Sequence, residues 1–99
     1  LILGRVIGTV WSTRKDENLV GAKFLIVRQL NLDLTPKEST VVAVDSVGAG
    51  VGEVVLVAQG SSARQTTFTK NKPVDAVIMA IVDKLDVSVK EKLKEIVES

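Results

Sequence analysis

The chain has 99 residues, 13 of them basic and 12 acidic, for a formal net charge of +1. That length fits one domain, and the near balance leaves no electrostatic footprint for nucleic acid or an anionic membrane. Cysteine and histidine are both absent, which excludes a disulfide framework, thiolate chemistry, the Ser-His-Asp and Cys-His nucleophile systems and the usual zinc sites.

Hydrophobic residues make up 45% of the chain but aromatic residues only 3%. The core must therefore be built from Val, Ile, Leu and Ala, and β-branched side chains favour strands. So short a chain buries a modest share of its surface, which gives it reason to cover apolar surface with a partner. The opening Leu1-Ile2-Leu3-Gly4-Arg5 lacks a basic region ahead of its apolar residues, so no secretory signal is expected. The longest apolar stretch, Ala76 to Val82, is too short to span a bilayer. A cytoplasmic location is the expectation, with no membrane and no nucleic-acid partner.

Ile2 to Trp11 reads as the first strand. Gly4 and Gly8 inside it suggest bending, which a small barrel demands of its strands. Ser12 to Gly21 is polar and reads as a loop. Lys23 to Leu30 is the second strand. Asn31 to Ser39 is a second loop, where Pro36 disfavours a central strand. Thr40 to Val47 is the third strand, and Gly52 to Gln59, after the connector Gly48-Ala49-Gly50, is the fourth. Gly60-Ser61-Ser62-Ala63-Arg64 reads as a short helical turn with a serine cap. Val74 to Val82 is a fifth strand or a buried apolar segment. From Asp86 to Ser99 the pattern changes: Val89, Leu93, Ile96 and Val97 share one helical face, and Ser88 with Glu91 fits a capping box. These residues predict an amphipathic C-terminal helix, too short to be stable without docking. The sum is a mainly β fold, a small antiparallel barrel of five strands with a helical turn and a terminal helix, because closure removes sheet edges.

Candidate chemistry is sparse. Gly48-Ala49-Gly50-Val51-Gly52-Glu53 has the spacing G-x-G-x-G and leads into a strand, whereas a dinucleotide or phosphate loop leads into a helix. A tight strand-to-strand turn is the better reading. Ser61 and Ser62 lack the second glycine and the histidine of a nucleophile elbow; Arg64 suits an interface pairing or plain solvation. Asp45, Glu53, Asp75 and Asp83 could pair for acid–base work, but nothing brings two of them together in a cleft. Single-strand nucleic-acid binding needs a basic groove and stacking platforms. Only Trp11, Phe24 and Phe68 are aromatic, Trp11 and Phe24 are expected in the core, and Arg14-Lys15 is cancelled by Asp16-Glu17.

Specific words in the chain go further. Leu3-Gly4-Arg5-Val6-Ile7-Gly8-Thr9-Val10-Trp11, then Thr13 to Leu19 and Gly21 to Arg28, resemble the N-terminal half of the EutN/CcmL family of bacterial microcompartment vertex proteins. Ala43-Val44-Asp45, Gly48 through Val57 and Gly60 to Arg64 resemble that family's middle stretch, and Pro73 to Ala76 with Ile81-Val82-Asp83 its closing strand. The ordered set, spread over most of residues 1 to 83, carries the resemblance.

The resemblance implies an OB-like barrel over residues 1–85, with residues 86–99 a helical extension outside the family pattern. It implies a structural, non-enzymatic shell subunit without cofactor or metal, forming a homo-pentamer that contacts hexameric microcompartment shell proteins. A cyclic pentamer uses head-to-tail contacts that close after five copies. Gly48, Ala49, Gly50, Gly52, Glu53, Ser61, Ser62 and Arg64 are the candidates for its axis or subunit interface. The alternative is a free-standing OB-like ligand or nucleic-acid module, and behind it a small carboxylate enzyme.

Overall fold

Val, Ile and Leu at alternate positions place one face of each strand inside a closed barrel, seen in a computed structural model that describes residues 1–11, 21–60 and 75–88. The strands are β1 (Ile2–Val10), β2 (Phe24–Leu30), β3 (Pro36–Asp45), β4 (Val54–Gln59) and β5 (Ala76–Ile81). Their order around the barrel is β1-β2-β3-β5-β4, closing back on β1. Val6, Leu25, Val27, Ala43, Val55, Val57, Ala76 and Ile78 form the interior, with Ile2, Val41 and Ile81 packed against it.

The barrel is mixed rather than antiparallel. Four of its strand contacts are antiparallel, but β3 and β5 run parallel through Val44↔Val77 and Asp45↔Ile78. Parallel neighbours cannot be joined by a hairpin and need a long connection; here β4 and its flanking segments lie between them. The short, two-pair seam at β3–β5 is where the barrel closes.

β1 serves two neighbours. Gly4 faces Gln29 of β2 and Val55 of β4, and Arg5 is likewise shared. The backbones come close there: a Cβ on Gly4 would collide with Val27 Cγ1 and lie 2.9 Å from the Arg28 carbonyl oxygen. The β1–β2 register shifts between Val6 and Gly8, so β1 carries the irregularity that its glycines suggest, and Ile7 is turned out to solvent. Bulges of this kind increase local twist and let a strand bend.

Two further expectations are corrected, one between β2 and β3 and one at the end of β1. The loop is shorter than Asn31 to Ser39, because β3 begins at Pro36. Proline is tolerated as the first residue of a strand. Trp11 is not a core residue; it is 88% exposed just beyond β1. The expected helical turn at residues 61–64 and most of the expected terminal helix lie outside the described residues. Asp86 to Ser88, within them, are not helical.

Candidate functional site

The glycine-rich segment between β3 and β4 is not a tight turn between paired strands. Residues 46–53 join strands that are not neighbours, and the loop runs across the barrel end from β3 to β1. Its docking on β1 is reciprocal. Gly52 N–H donates to the Val6 carbonyl at 2.8 Å, and Val6 N–H donates to the Glu53 carbonyl at 2.9 Å. Arg5 Nη1 donates to the Gly52 carbonyl at 2.8 Å. On the other flank Asp45 N–H donates to the Lys23 carbonyl at 2.8 Å, extending the β2–β3 ladder.

The loop also braces itself. Asp45 Oδ1 accepts from the N–H groups of Val47 and Gly48 at 3.0 Å each and of Ala49 at 3.2 Å. One carboxylate oxygen thus gathers three backbone donors that no ladder would satisfy. Glu53 Oε1 accepts from Gly50 N–H at 2.7 Å, while Glu53 N–H donates to the Gly50 carbonyl at 3.1 Å. Ser46 Oγ donates to the Ile78 carbonyl at 2.6 Å, fastening the loop to β5. Gly48 and Gly52 have φ of +78° and +95°, with nothing within 4 Å of an added Cβ. Glycine is needed there for conformation, not for space.

The predicted site residues therefore divide. Gly48, Ala49, Gly50, Gly52 and Glu53 share one braced loop. Ala49 differs from the others, because its side chain is 1% exposed and belongs to the barrel core. Gly48, Gly52 and Glu53 are exposed, and between them Val51 stands 66% exposed. Ser61, Ser62 and Arg64 lie outside the described residues.

The sequence reading missed Asp45 as the loop's anchor, Arg5 as its clamp and Val51 as its exposed tip. An aspartate followed at once by Ser-Val-Gly-Ala is a legible signal for side chain-to-backbone bonding. The Arg5 clamp, 47 residues from its partner, has no local signal. Asp45 and Glu53 are engaged with loop N–H groups, so they are structural carboxylates rather than a free acid–base pair. Among the described residues no group of three or more Asp, Glu, His or Cys is placed to hold a metal ion. No described helix is long and apolar enough to cross a membrane.

At the opposite end of β2, the hairpin to β3 is tied by a local network. Thr35 donates through N–H at 3.1 Å and through Oγ1 at 2.6 Å to Asp33 Oδ1. Asn31 Nδ2 donates to Thr35 Oγ1 at 3.0 Å, and Leu34 takes a φ of 71°.

Residues 1–83 match the family model described as ethanolamine utilisation protein EutN/carboxysome. The chain belongs to the EutN/CcmL family. A relative at 51% identity is the bacterial microcompartment shell vertex protein GrpN of Rhodospirillum rubrum, aligned over 87% of this chain and 97% of that one. The vertex protein PduN of Salmonella typhimurium is 47% identical over 84% of this chain and 96% of its own length. The solved structure of GrpN, a pentameric microcompartment shell protein, superimposes with a TM-score of 0.81, covering 89% of this chain and all of that one. The carboxysome protein CcmL of Gloeobacter violaceus gives a TM-score of 0.84 at 42% identity, covering 89% and 91%. EutN/CcmL proteins of this kind are structural shell vertex proteins, not enzymes.

Proposed function

We infer that the chain is a structural vertex subunit of a bacterial microcompartment shell, working as a ring of five. The observation that carries this is the agreement of family match, identity over 87% of the chain and barrel shape with pentameric vertex proteins. Its chemistry is geometric. Hexagonal tiles close flat layers, and a pentagon removes one sector and supplies the curvature that closes a shell. The partners on its rim are then hexameric shell proteins.

The barrel is of the OB kind, supported by five strands in the order β1-β2-β3-β5-β4. Residues 1–85 make the shell domain and residues 86–99 extend it, with the part after the non-helical Asp86 to Ser88 forming the amphipathic helix. The loop 46–53 lies at the ring axis or at the contact between neighbouring subunits, with Gly48, Gly50, Gly52 and Glu53 forming its surface and Ser61, Ser62 and Arg64 contributing beside it. Support comes from the loop's rigidity: its donors are taken up by Asp45 and Glu53, its backbone is pinned to β1, and two large apolar groups, Val47 and Val51 at its tip, are left in water. A pre-ordered loop loses little entropy on association.

Native mass spectrometry tests the ring. The expected result is a dominant five-chain mass; a dominant monomer or dimer would overturn the vertex reading. Val51→Cys tests the axial placement of the loop, since Ala49 is buried and cannot report on it. A short bis-maleimide should then link neighbouring chains in a ladder up to five. Co-expression with hexameric shell proteins should give closed polyhedra by electron microscopy, and open sheets or tubes when this chain is left out.

A further inference from the structure

The outer wall of β1, β2 and β3 is more apolar than a solvated sheet face should be. β2 opens with Phe24-Leu25-Ile26-Val27, and β3 contains Val41-Val42-Ala43-Val44. A sheet with one face in water alternates apolar and polar residues, whereas an unbroken apolar run belongs to a strand covered on both faces. Leu25, Val27 and Ala43 fill the barrel core. The alternation then sends Phe24, Ile26, Val42 and Val44 outward.

The registers assemble these side chains into two rows. Gly8 pairs with Ile26, and Ile26 with Val42; Val10 pairs with Phe24, and Phe24 with Val44. Cross-strand partners share a face at contact distance. The second row is partly covered within the chain, since Val44 is 1% exposed in a cluster with Ala22 and Phe24. The first row is open at one end: Val42 is 52% exposed, while Gly8 and Ile26 are half-buried. Ile7 on β1 and Trp11 just beyond it are exposed as well. Neither row contains a charged residue.

Gly8 adds an independent observation. Its φ is not positive, and a Cβ there would meet only Ile26 side-chain atoms, the nearest at 3.5 Å, an ordinary contact. Nothing described within the chain requires glycine at this position, in contrast to Gly4. The missing side chain leaves a notch in the outer wall beside Ile26.

We propose that in the ring this face is covered by a second copy of the same chain, which packs over Val42 and enters the notch at Gly8. The proposal rests on the pentameric reading. A ring of five gives each chain two unlike contacts, one on each flank. An uncharged apolar face is what the fully buried centre of such a homo-oligomeric contact requires. Residues 89–99 folding back on the same chain, or a different shell protein, are the competing occupants.

The test compares the wild type with Val42→Glu, Gly8→Val and the β-branched control Val42→Thr by native mass spectrometry and sedimentation. Val42→Thr should remain pentameric. Val42→Glu should lose the pentamer at micromolar concentration while keeping its far-ultraviolet spectrum. Gly8→Val, which adds apolar surface, should do the same by filling the notch. A pentameric wild type whose Glu and Val variants are equally pentameric overturns the proposal alone; a wild type that forms no pentamer overturns the vertex reading first. Val42→Cys gives a second, site-specific readout, since the chain has no other cysteine. Its maleimide labelling should be at least tenfold slower in the ring than after dissociation by dilution. Equal rates overturn the proposal, as does protection that survives dissociation and disappears when residues 86–99 are deleted.

Discussion

Gly4 and Asp45 show how much a single residue can hold in this fold. Gly4 stands where β1 passes between β2 and β4, and the atom 2.9 Å from its missing Cβ is a backbone oxygen of Arg28. A backbone cannot step aside as a side-chain end can. Gly4→Ala should therefore cost about 1–3 kcal/mol, the usual penalty for overpacking a tight site. Urea denaturation at fixed protein concentration checks it, because assembly makes apparent stability depend on concentration. Asp45 collects the N–H groups of three successive loop residues. Asp45→Ala should cost roughly 1–2 kcal/mol, at the low end for bonds to a charged acceptor because Asp45 is only partly buried. Asp45→Asn keeps one side-chain oxygen and should recover part of that loss. Faster hydrogen exchange at Val47, Gly48 and Ala49 in the alanine variant would confirm the mechanism.

At the scale of elements, the two ends of β2 are built differently. One end meets the loop 46–53, whose glycines supply the left-handed conformations that it needs. The other end is a hairpin in which Leu34, a γ-branched residue, takes φ 71°. Left-handed backbone costs a non-glycine residue about 1–2 kcal/mol. Leu34 is 39% exposed, so its removal gives up part of its burial, which offsets some of the conformational gain. Leu34→Gly should leave stability unchanged or raise it by up to ~1 kcal/mol, read from the shift in denaturation midpoint. A clear loss would mean that the leucine side chain is covered in the assembled ring. The reverse change in the other loop, Gly52→Ala at φ +95°, should destabilise by about 1 kcal/mol through conformation alone.

For the whole molecule, the barrel closes before the C-terminal segment begins. β5 ends at Ile81, and Val82 N–H donates to the Val54 carbonyl at 2.8 Å, continuing the β4–β5 contact by one bond. Deleting residues 86–99 should leave the strand spectrum and the cooperative unfolding of the barrel intact. Whether the truncated chain stays pentameric then reports on the proposed helix: loss of the ring assigns that segment a fastening role, and an unchanged ring confines it to its own subunit.

The five strands and the absence of histidine and cysteine were legible in the sequence, because strand propensity and composition are local properties. Ordered words such as Leu3 to Trp11 and Gly48 to Val57 carried the family. Tertiary structure alone decided that Gly48 to Glu53 crosses the barrel end, that Ala49 is interior, that Trp11 is exposed and that β3 and β5 run parallel. Each of these depends on which strands become neighbours across long stretches of chain, as in the Arg5 to Gly52 clamp, and no short-range pattern encodes that choice.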